Sequence, residues 1–295
     1  MILSLVFFTF SFAFYIITSI LYLCNWVFKR KWIGQIATTM AFVALMSTTM
    51  ILVTRAGEAG HAPFSNLYES MVLFVWATNA GYLIMEYRHK FRVIGVFVMS
   101  FETAAMLAAS LLPYRFKSAE PLNPALQNKW HWMMDLLGKF GLEKYAIGWL
   151  DFHVFTTFVG YAAFAIAFGL SWMYLLKNRF EVTGRRNSLI EVFPDAKVLD
   201  EMSYRAIALG FPFLAIGIVS GAVWANYAWG TYWSWDPKET WSLITWFIYA
   251  AYLHARVTRG WRGRKAAYLS IAGFTAIIFL YWGVSFILPG LHAYA

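Results

Sequence analysis

Residues 224–241 read WANYAWGTYWSWDPKETW and contain five of the protein's 15 tryptophans: Trp224, Trp229, Trp233, Trp235 and Trp241. Gly230 and Pro237 argue against one continuous helix here, because glycine favours helix ends and proline lacks the amide proton. Interfacial anchoring is the ordinary role of such residues, but anchors are spread over all helix ends. The concentration at one place favours an aromatic platform for a flat, apolar ligand with charged edges, a description that haem fits. Anchoring alone is the alternative.

The composition places the chain among integral membrane proteins, since 60% of its residues are hydrophobic and 13% are charged. A helix needs about 20 apolar residues to cross a bilayer. Eight apolar segments have this character: 2–24, 33–54, 66–87, 93–112, 152–176, 205–224, 241–257 and 267–288. The expected fold is therefore an all-α integral membrane protein with about eight transmembrane helices, forming a single domain over residues 1–295.

The basic residues predict the orientation of these spans. The loops after spans 1, 3, 5 and 7 hold 17 of the 24 Lys and Arg residues, and the opposite side holds seven. The positive-inside rule places the richer side in the cytoplasm, so both termini and the 224–241 segment between spans 6 and 7 are expected outside. The net charge of +9 lies in short loops and is no nucleic-acid signal.

Two connections between the predicted spans are long. Residues 113–151 contain WHWMMDLLGKF, an aromatic and charged mixture that is expected to lie flat at the external interface. Residues 177–204 are polar with mixed charge and are expected to form a solvated cytoplasmic connection. No soluble domain, internal repeat or low-complexity tract is predicted.

Two histidines are expected on the same surface as the tryptophan segment. His153 lies at the outer end of span 5, and His292 follows span 8. A neutral imidazole suits haem iron well, so two of them beside an aromatic platform predict a bis-histidine haem site. Each histidine taken alone has an ordinary alternative, as a helix-end cap or a solvated terminal residue.

The other ionisable residues of the spans are less decisive. His254 lies toward the cytoplasmic end of span 7 and is either functional or snorkels beside Arg256. His61 is expected to be a hydrogen-bonded loop residue, and the remaining two histidines to be solvated. Glu69 and Glu102 fall in or near spans 3 and 4, where a structural hydrogen-bonding role is as probable as a relay role.

Residues 229–240, WGTYWSWDPKET, resemble the tryptophan-rich WWD signature of haem-handling membrane proteins. Within that group the sequence is similar to the CcsA (ResC) family, a component of the System II cytochrome c synthetase. Further resemblance lies in GHAPFSNLYES at 60–70, WLDFHV at 149–154, GYAAF at 160–164 and GLHAYA at 290–295. In one departure, about twenty residues separate the PALQ element at 124–127 from the Trp-x-x-x-His element.

The resemblance implies where haem b binds. His153 and His292 would be its axial ligands at the outer surface, and His254 would serve a second position within the membrane. A CcsB (ResB) subunit would supply the other intramembrane ligand. The cofactor-binding segment would contribute Trp224, Trp229, Trp233, Trp235, Asp236 and Lys238. Lys238 would neutralise the propionates, with Arg55 or Arg115 as further candidates.

The resemblance also implies the reaction, covalent attachment of haem through two thioether bonds to a Cys-x-x-Cys-His segment of apocytochrome c. The single cysteine, Cys24, permits no disulfide in this chain, so the thiols and a thiol-reducing partner must come from elsewhere. The expected location is a bacterial inner membrane or a thylakoid-type membrane. The alternatives are a CcmC-like haem-presenting protein, a haem exporter without ligase activity, and a structural membrane subunit.

Overall fold

The computed structural model describes residues 2–113 and 128–288, and within those ranges the chain is helical apart from turns and one isolated bridge, Lys129 with Gly148. Nine helices precede a short terminal one. They are α1 Ile2–Phe28, α2 Lys31–Ala59, α3 Leu67–His89, α4 Ile94–Leu111, α5 His131–Gly138, α6 Trp149–Thr183, α7 Ala196–Trp229, α8 Pro237–Thr258, α9 Arg264–Ile278 and α10 Val284–Ile287. A π-helical turn, Phe279–Gly283, joins α9 to α10.

The eight predicted spans each coincide with a long helix, or with the α9–α10 pair in the last case. Six of these helices are long and apolar enough to cross a membrane. Of the described helices longer than 20 residues, α3 and α8 do not meet that criterion. An integral membrane protein is therefore confirmed at the level of fold class, while the count of eight crossings stays a prediction.

The tryptophan segment is interrupted as its glycine and proline predict. Helix α7 ends at Gly230, which adopts the left-handed conformation (φ 79°) and donates its amide to the Asn226 carbonyl. Helix α8 begins at Pro237, where the missing amide proton costs nothing. Asp236 caps it by accepting from the Lys238 amide at 2.9 Å. The seven residues between the helices, 230–236, form a turn.

The bundle has two apolar cores. One lies mainly among α1 to α4, and the other mainly among α6 to α9. Helix α6 stands between them and packs against α3, α4, α7 and α9. Helices α6 and α7 approach closely, since a Cβ atom on Gly210 would lie 3.0 Å from the Gly160 carbonyl oxygen. Pro212 lies inside α7, two residues beyond this contact.

Contacts between helices group their ends at two faces of the bundle. We call one end the site end, because the 224–241 segment lies there. At this end the Ser4 hydroxyl of α1 donates to Glu58 of α2, and the Tyr281 hydroxyl donates to the Leu67 carbonyl of α3. The opposite end, which we call the basic end, carries the loops rich in Lys and Arg. Here the Trp26 indole of α1 donates to the Leu189 carbonyl. The 224–241 segment, the start of α6 and the last described residue, Leu288, lie at the site end. Successive long helices therefore run in alternating directions.

The expectation that 177–204 is a solvated connection holds for the exposed residues 181–188 but not for the whole segment. Helix α6 continues to Thr183 and α7 begins at Ala196, which leaves only twelve residues between them. Ile190 and Phe193 are buried, and Phe193 packs on Trp26 with ring centroids 5.7 Å apart. The apolar side chains dock this connection onto α1. In the other long connection, the described part includes α5, whose His131 is exposed as expected, and residues 114–127 lie outside the described ranges.

Reporter fusions test the predicted orientation. Fusions after residues 90 and 260 follow the basic loops and are expected to behave as cytoplasmic, whereas one after residue 235 is expected to behave as external. Alkaline phosphatase and fluorescent-protein activities in matched fusions measure this. An external reporter at residue 260 would reverse the predicted orientation of the whole bundle.

Candidate functional site

A cavity at the site end lies between α6, α7, the start of α8 and the π-helical turn. Its interior volume is about 130 Å³, and about 890 Å³ when the open space at its mouth is included. Its walls are mostly apolar, with a few polar groups, and include His153, Thr157, Gly221, Tyr232, Trp233, Lys238, Glu239, Ser242 and Tyr281. The structure thus brings together three of the predicted site residues, His153, Trp233 and Lys238.

The His153 imidazole is fixed by helix α7. Its Nδ1 atom lies 2.6 Å from the Gly217 carbonyl oxygen, and since a carbonyl only accepts, Nδ1 carries the proton. In the neutral form of the ring the lone pair would then lie on Nε2. This is the usual arrangement of a metal-ligating histidine, whose second nitrogen donates to a carbonyl or carboxylate. The ring also depends on Gly221, because a Cβ there would lie 2.6 Å from its Cε1 and Nδ1 atoms.

The tryptophans of the segment occupy different environments. Trp233 lines the cavity and meets Trp235 edge to face, with ring centroids 5.8 Å apart. Trp235 is 69% exposed and has a left-handed backbone (φ 60°), unusual for a large side chain. Trp224 and Trp229 pack edge to face on each other at 4.9 Å. Trp233 is the tryptophan of the segment that contributes directly to the cavity wall.

The start of α8 supplies the charged groups. Asp236 is buried as the helix cap, and Glu239 completes a capping box by accepting from the Asp236 amide at 3.2 Å. The same Glu239 oxygen accepts from the Ser234 amide at 2.8 Å. Lys238 lines the cavity, and burial, partly opposed by the Asp236 charge, lowers the pKa of its amine to about 8. The sequence predicted Asp236 as a ligand contact, and the structure places it in the cap.

Two buried oxygens of the cavity lining have no hydrogen-bond partner among the residues described. They are Oγ1 of Thr157 and Oε1 of Glu239. Native proteins rarely leave such atoms unpaired, and ligands are a common source of the missing partner. Sequence reasoning missed both residues. The position of Thr157, one helical turn after His153 and so on the same face, was an available signal.

Other predicted residues lie outside the cavity. His254 is exposed on α8, one helical turn before the chain reaches the basic end. His292 lies outside the described residues, four positions beyond Leu288. Arg55, which had been considered for propionates, is 4% exposed and bonds Glu69 through two nitrogens at 2.9 and 3.1 Å. That prediction for Arg55 is wrong, because its charge is committed to Glu69. His61 is buried beside the Ala62 carbonyl, as expected of a loop histidine.

Comparisons with known proteins identify the family of the chain. A family model described as Cytochrome C assembly protein matches residues 145–292. The cytochrome c biogenesis protein CcsA of Guillardia theta is 37% identical over 302 residues, covering 95% of this chain and 92% of the relative. The chain belongs to the CcsA family. CcsA of Gloeobacter violaceus is 36% identical, with 96% and 94% coverage. CcsA of a Synechocystis strain is also 36% identical, with 96% and 95% coverage.

A solved structure shares the fold. The structure titled Cytochrome c Heme Lyase CcmF matches with a TM-score of 0.62 at 16% sequence identity, over 95% of this chain and 46% of that one. At this identity the likeness shows the fold alone. Membership of the CcsA family and six apolar helices make the chain a multi-pass membrane protein of cytochrome c biogenesis. The match to the Cytochrome C assembly protein model covers the whole cavity, since the residues lining it fall between 153 and 281.

Proposed function

We propose that the protein binds haem b at the external face of the membrane and presents it for covalent attachment to a Cys-x-x-Cys-His segment of apocytochrome c. The observation that carries the proposal is the His153 imidazole, fixed through Nδ1 by Gly217 in a cavity that it shares with Trp233 and Lys238. An axial ligand, a flat aromatic wall and a cation are what haem iron, porphyrin and propionates require.

The residues of the cavity fit the tasks of such a site. Haem supplies the vinyl groups to which the two cysteine thiols add. His153 would hold the iron through Nε2, with its ring orientation set by α7. Trp233 orients the macrocycle, and Lys238 pairs with a propionate. Oγ1 of Thr157 and Oε1 of Glu239 offer two further polar contacts within the cavity. Orientation of the vinyl edge toward the arriving peptide lowers the barrier by proximity.

We assign the second axial position to His292. The described chain ends at Leu288 at the site end, and four further residues span at most about 14 Å when extended. Haem held by His153 and His292 would have two imidazole ligands, which would limit access of dioxygen to the iron.

The proposed function is tested by purifying the protein with a CcsB-like subunit and supplying a reduced apocytochrome c. A low-spin b-type absorption spectrum is expected as purified, followed by covalent haem on the apocytochrome in a denaturing gel. Haem bound without any transfer would indicate a CcmC-like presenting role instead. Protein that carries no haem in either preparation would contradict haem binding altogether.

The Lys238 amine predicts a pH dependence of haem binding. Because its pKa is about 8 rather than 10.5, the charge that attracts a propionate is present below about pH 8 and is lost as the pH rises through that value. Haem affinity is expected to fall about tenfold between pH 7 and pH 9. Lys238→Met should bind weakly and without this slope, while Lys139→Met, on an exposed lysine, should titrate like the wild type. A wild-type affinity that is constant over this range would remove Lys238 from the site.

His254 is assigned to a separate haem position that a partner completes. It lies thirteen residues after Trp241, about 20 Å along the helix, and its side chain faces outward from the bundle where a second subunit can reach it. His254→Ala is expected to leave the cavity empty of haem during synthesis, and haem added from outside should refill it. The exposed His131→Ala is the control. Normal haem content in His254→Ala, at normal protein abundance, would leave a single haem site.

A further inference from the structure

A second set of buried polar groups lies in the half of the bundle that the cavity does not use. It runs between α1, α3 and α4, and each member is at most 5% exposed. We call it the polar column, and its members are Ser11, Tyr15, Thr18, Tyr22, Asn79, Tyr82, Glu86 and Glu102. Polar side chains at this density inside a membrane domain are costly and usually functional. The column lies outside the matched family region, residues 145–292.

The lower part of the column is connected to the basic end. Glu86 accepts from the Tyr22 hydroxyl at 2.6 Å and from the Tyr82 hydroxyl at 2.5 Å. It also pairs with Arg92, whose Nε lies 3.3 Å away and whose side chain is 33% exposed. Thr38 of α2 adds a further short hydrogen bond. The Glu86 carboxylate thus accepts several hydrogen bonds, and one of its donors, Arg92, reaches the surface.

The upper part of the column centres on Glu102. Gly95 of α4 packs against Tyr22 of α1, and the two helices run in opposite directions. Glu102 is seven residues after Gly95, and Tyr15 is seven residues before Tyr22. Glu102 and Tyr15 therefore lie at the same level of the bundle. The Tyr15 hydroxyl accepts from Asn79 Nδ2 at 3.0 Å and lies within electrostatic range of Glu102. Glu102 therefore stands about 10 Å deeper than Glu86.

Four oxygens at this level lack a hydrogen-bond partner in the part of the chain that the structure describes. They are both carboxyl oxygens of Glu102, Oδ1 of Asn79 and Oγ1 of Thr18, all on fully buried residues. An ionised carboxylate without a donor is strongly unfavourable in a membrane interior. A neutral carboxylic acid is far less costly here, because it carries no charge and has an O–H that can donate.

We propose that the polar column is a proton pathway that leads from the basic end, through Glu86, Tyr22 and Thr18, to a proton-binding site at Glu102. Thr18 lies on the buried face of α1 between Tyr15 and Tyr22, so its hydroxyl stands along the step between the two carboxyl groups. Its Oγ1 has no hydrogen-bond partner among the described residues, and bridging water would complete the chain at this step. Each hydroxyl or bridging water accepts one proton and passes on its own, so that only a proton is moved and no bond to carbon changes.

The titratable groups that face the pathway are Tyr15 and Tyr22 from α1 and Tyr82 and Glu86 from α3. Helix α2 contributes the hydroxyls of Thr38 and Thr48. Three hydroxyl groups and Arg92 donate to Glu86. No cation faces Glu102 among the described residues in contact with it. The two carboxyl groups therefore have different electrostatic surroundings. This proposal does not depend on haem binding.

Infrared spectroscopy of the full-length protein in lipid nanodiscs tests the pathway. The carbonyl stretch of a neutral carboxylic acid is expected at neutral pH and should be absent in Glu102→Gln, with Glu102→Asp shifting the band. Transfer into D2O should shift the wild-type band rapidly. Thr18→Val and Tyr22→Phe, which remove one hydroxyl each, should slow that exchange about tenfold or more. Tyr249→Phe, a fully buried tyrosine in the other core, is the matched control.

Two results would overturn the proposal. A spectrum without a neutral-acid band attributable to Glu102 would mean that it is ionised or holds a metal cation. Equal exchange rates in wild type, Thr18→Val and Tyr22→Phe, measured on monodisperse samples, would mean that the buried hydroxyls only bind the helices together. Slower exchange in the two column variants, with Tyr249→Phe unchanged, supports the pathway.

Discussion

Replacing His153 with alanine is expected to lower the yield of covalent cytochrome c at least tenfold, because the variant loses the imidazole that the structure fixes over the cavity. The b-type spectrum should weaken or convert to high spin, and free imidazole added to the medium should restore part of it. Haem stain normalised to protein abundance measures the yield. An unchanged spectrum and yield would exclude His153 as a ligand.

A glycine variant separates the position of this imidazole from its presence. Gly221→Ala leaves His153 intact but puts a methyl group 2.6 Å from two ring atoms, so the ring must turn away from its Gly217 partner. A loss of about 10- to 100-fold in haem affinity is expected, the usual cost of disturbing a group that orients a metal ligand. Gly57→Ala, where the added methyl meets nothing within 4 Å, should behave as wild type. Wild-type affinity in Gly221→Ala would show that the ring orientation has no role.

Arg55→Ala is expected to destabilise the folded protein by about 3–5 kcal/mol, because it leaves Glu69 buried without its counter-charge. The two side chains are 4% and 1% exposed and share a 2.9 Å contact between α2 and α3. Thermal unfolding in detergent should show the loss as a lower transition temperature. A double variant, Arg55→Leu with Glu69→Leu, should recover much of it, since no isolated charge remains.

The matched control is Arg205→Ala, which breaks an exposed pair with Glu201. Those side chains are 70% and 45% exposed, so a change of about 0–1 kcal/mol is expected. Similar effects of Arg55→Ala and Arg205→Ala would mean that the buried pair carries no special energetic weight. A double leucine variant that is less stable than Arg55→Ala would point to packing rather than charge.

Local sequence patterns predicted the helices and their interruption well. Gly230 and Pro237 mark helix ends through the conformations that their own backbones prefer, and such preferences need no knowledge of the rest of the chain. The grouping of His153 with Trp233 and Lys238 also followed from sequence, because the alternation of spans assigns each segment end to one face.

What sequence could not supply is the rotation of each helix and the pairing of distant charges. Trp233 lines the cavity and Trp235, two residues on, is exposed because its left-handed backbone turns the chain. Arg55 looked available for a ligand, but its partner comes from the next helix, after a turn whose path depends on tertiary packing. The apolar docking of Ile190 and Phe193 was hidden by the polar residues around them.

Pro212 is a point in helix α7 at which a small change in bend would cause a larger displacement at the helix end. A proline inside a helix removes one backbone hydrogen bond and leaves a point at which the axis bends more easily. The seventeen residues from Pro212 to Trp229 span about 25 Å. A change of about 5° in the bend would move the far end by about 2 Å, while Gly210 stays anchored on Gly160. Gly217 and Gly221 lie on the part of α7 beyond Pro212, so such a change would move the wall that contacts the His153 ring together with the tryptophan turn. The cavity width is thus tied to one angle located in the middle of a helix.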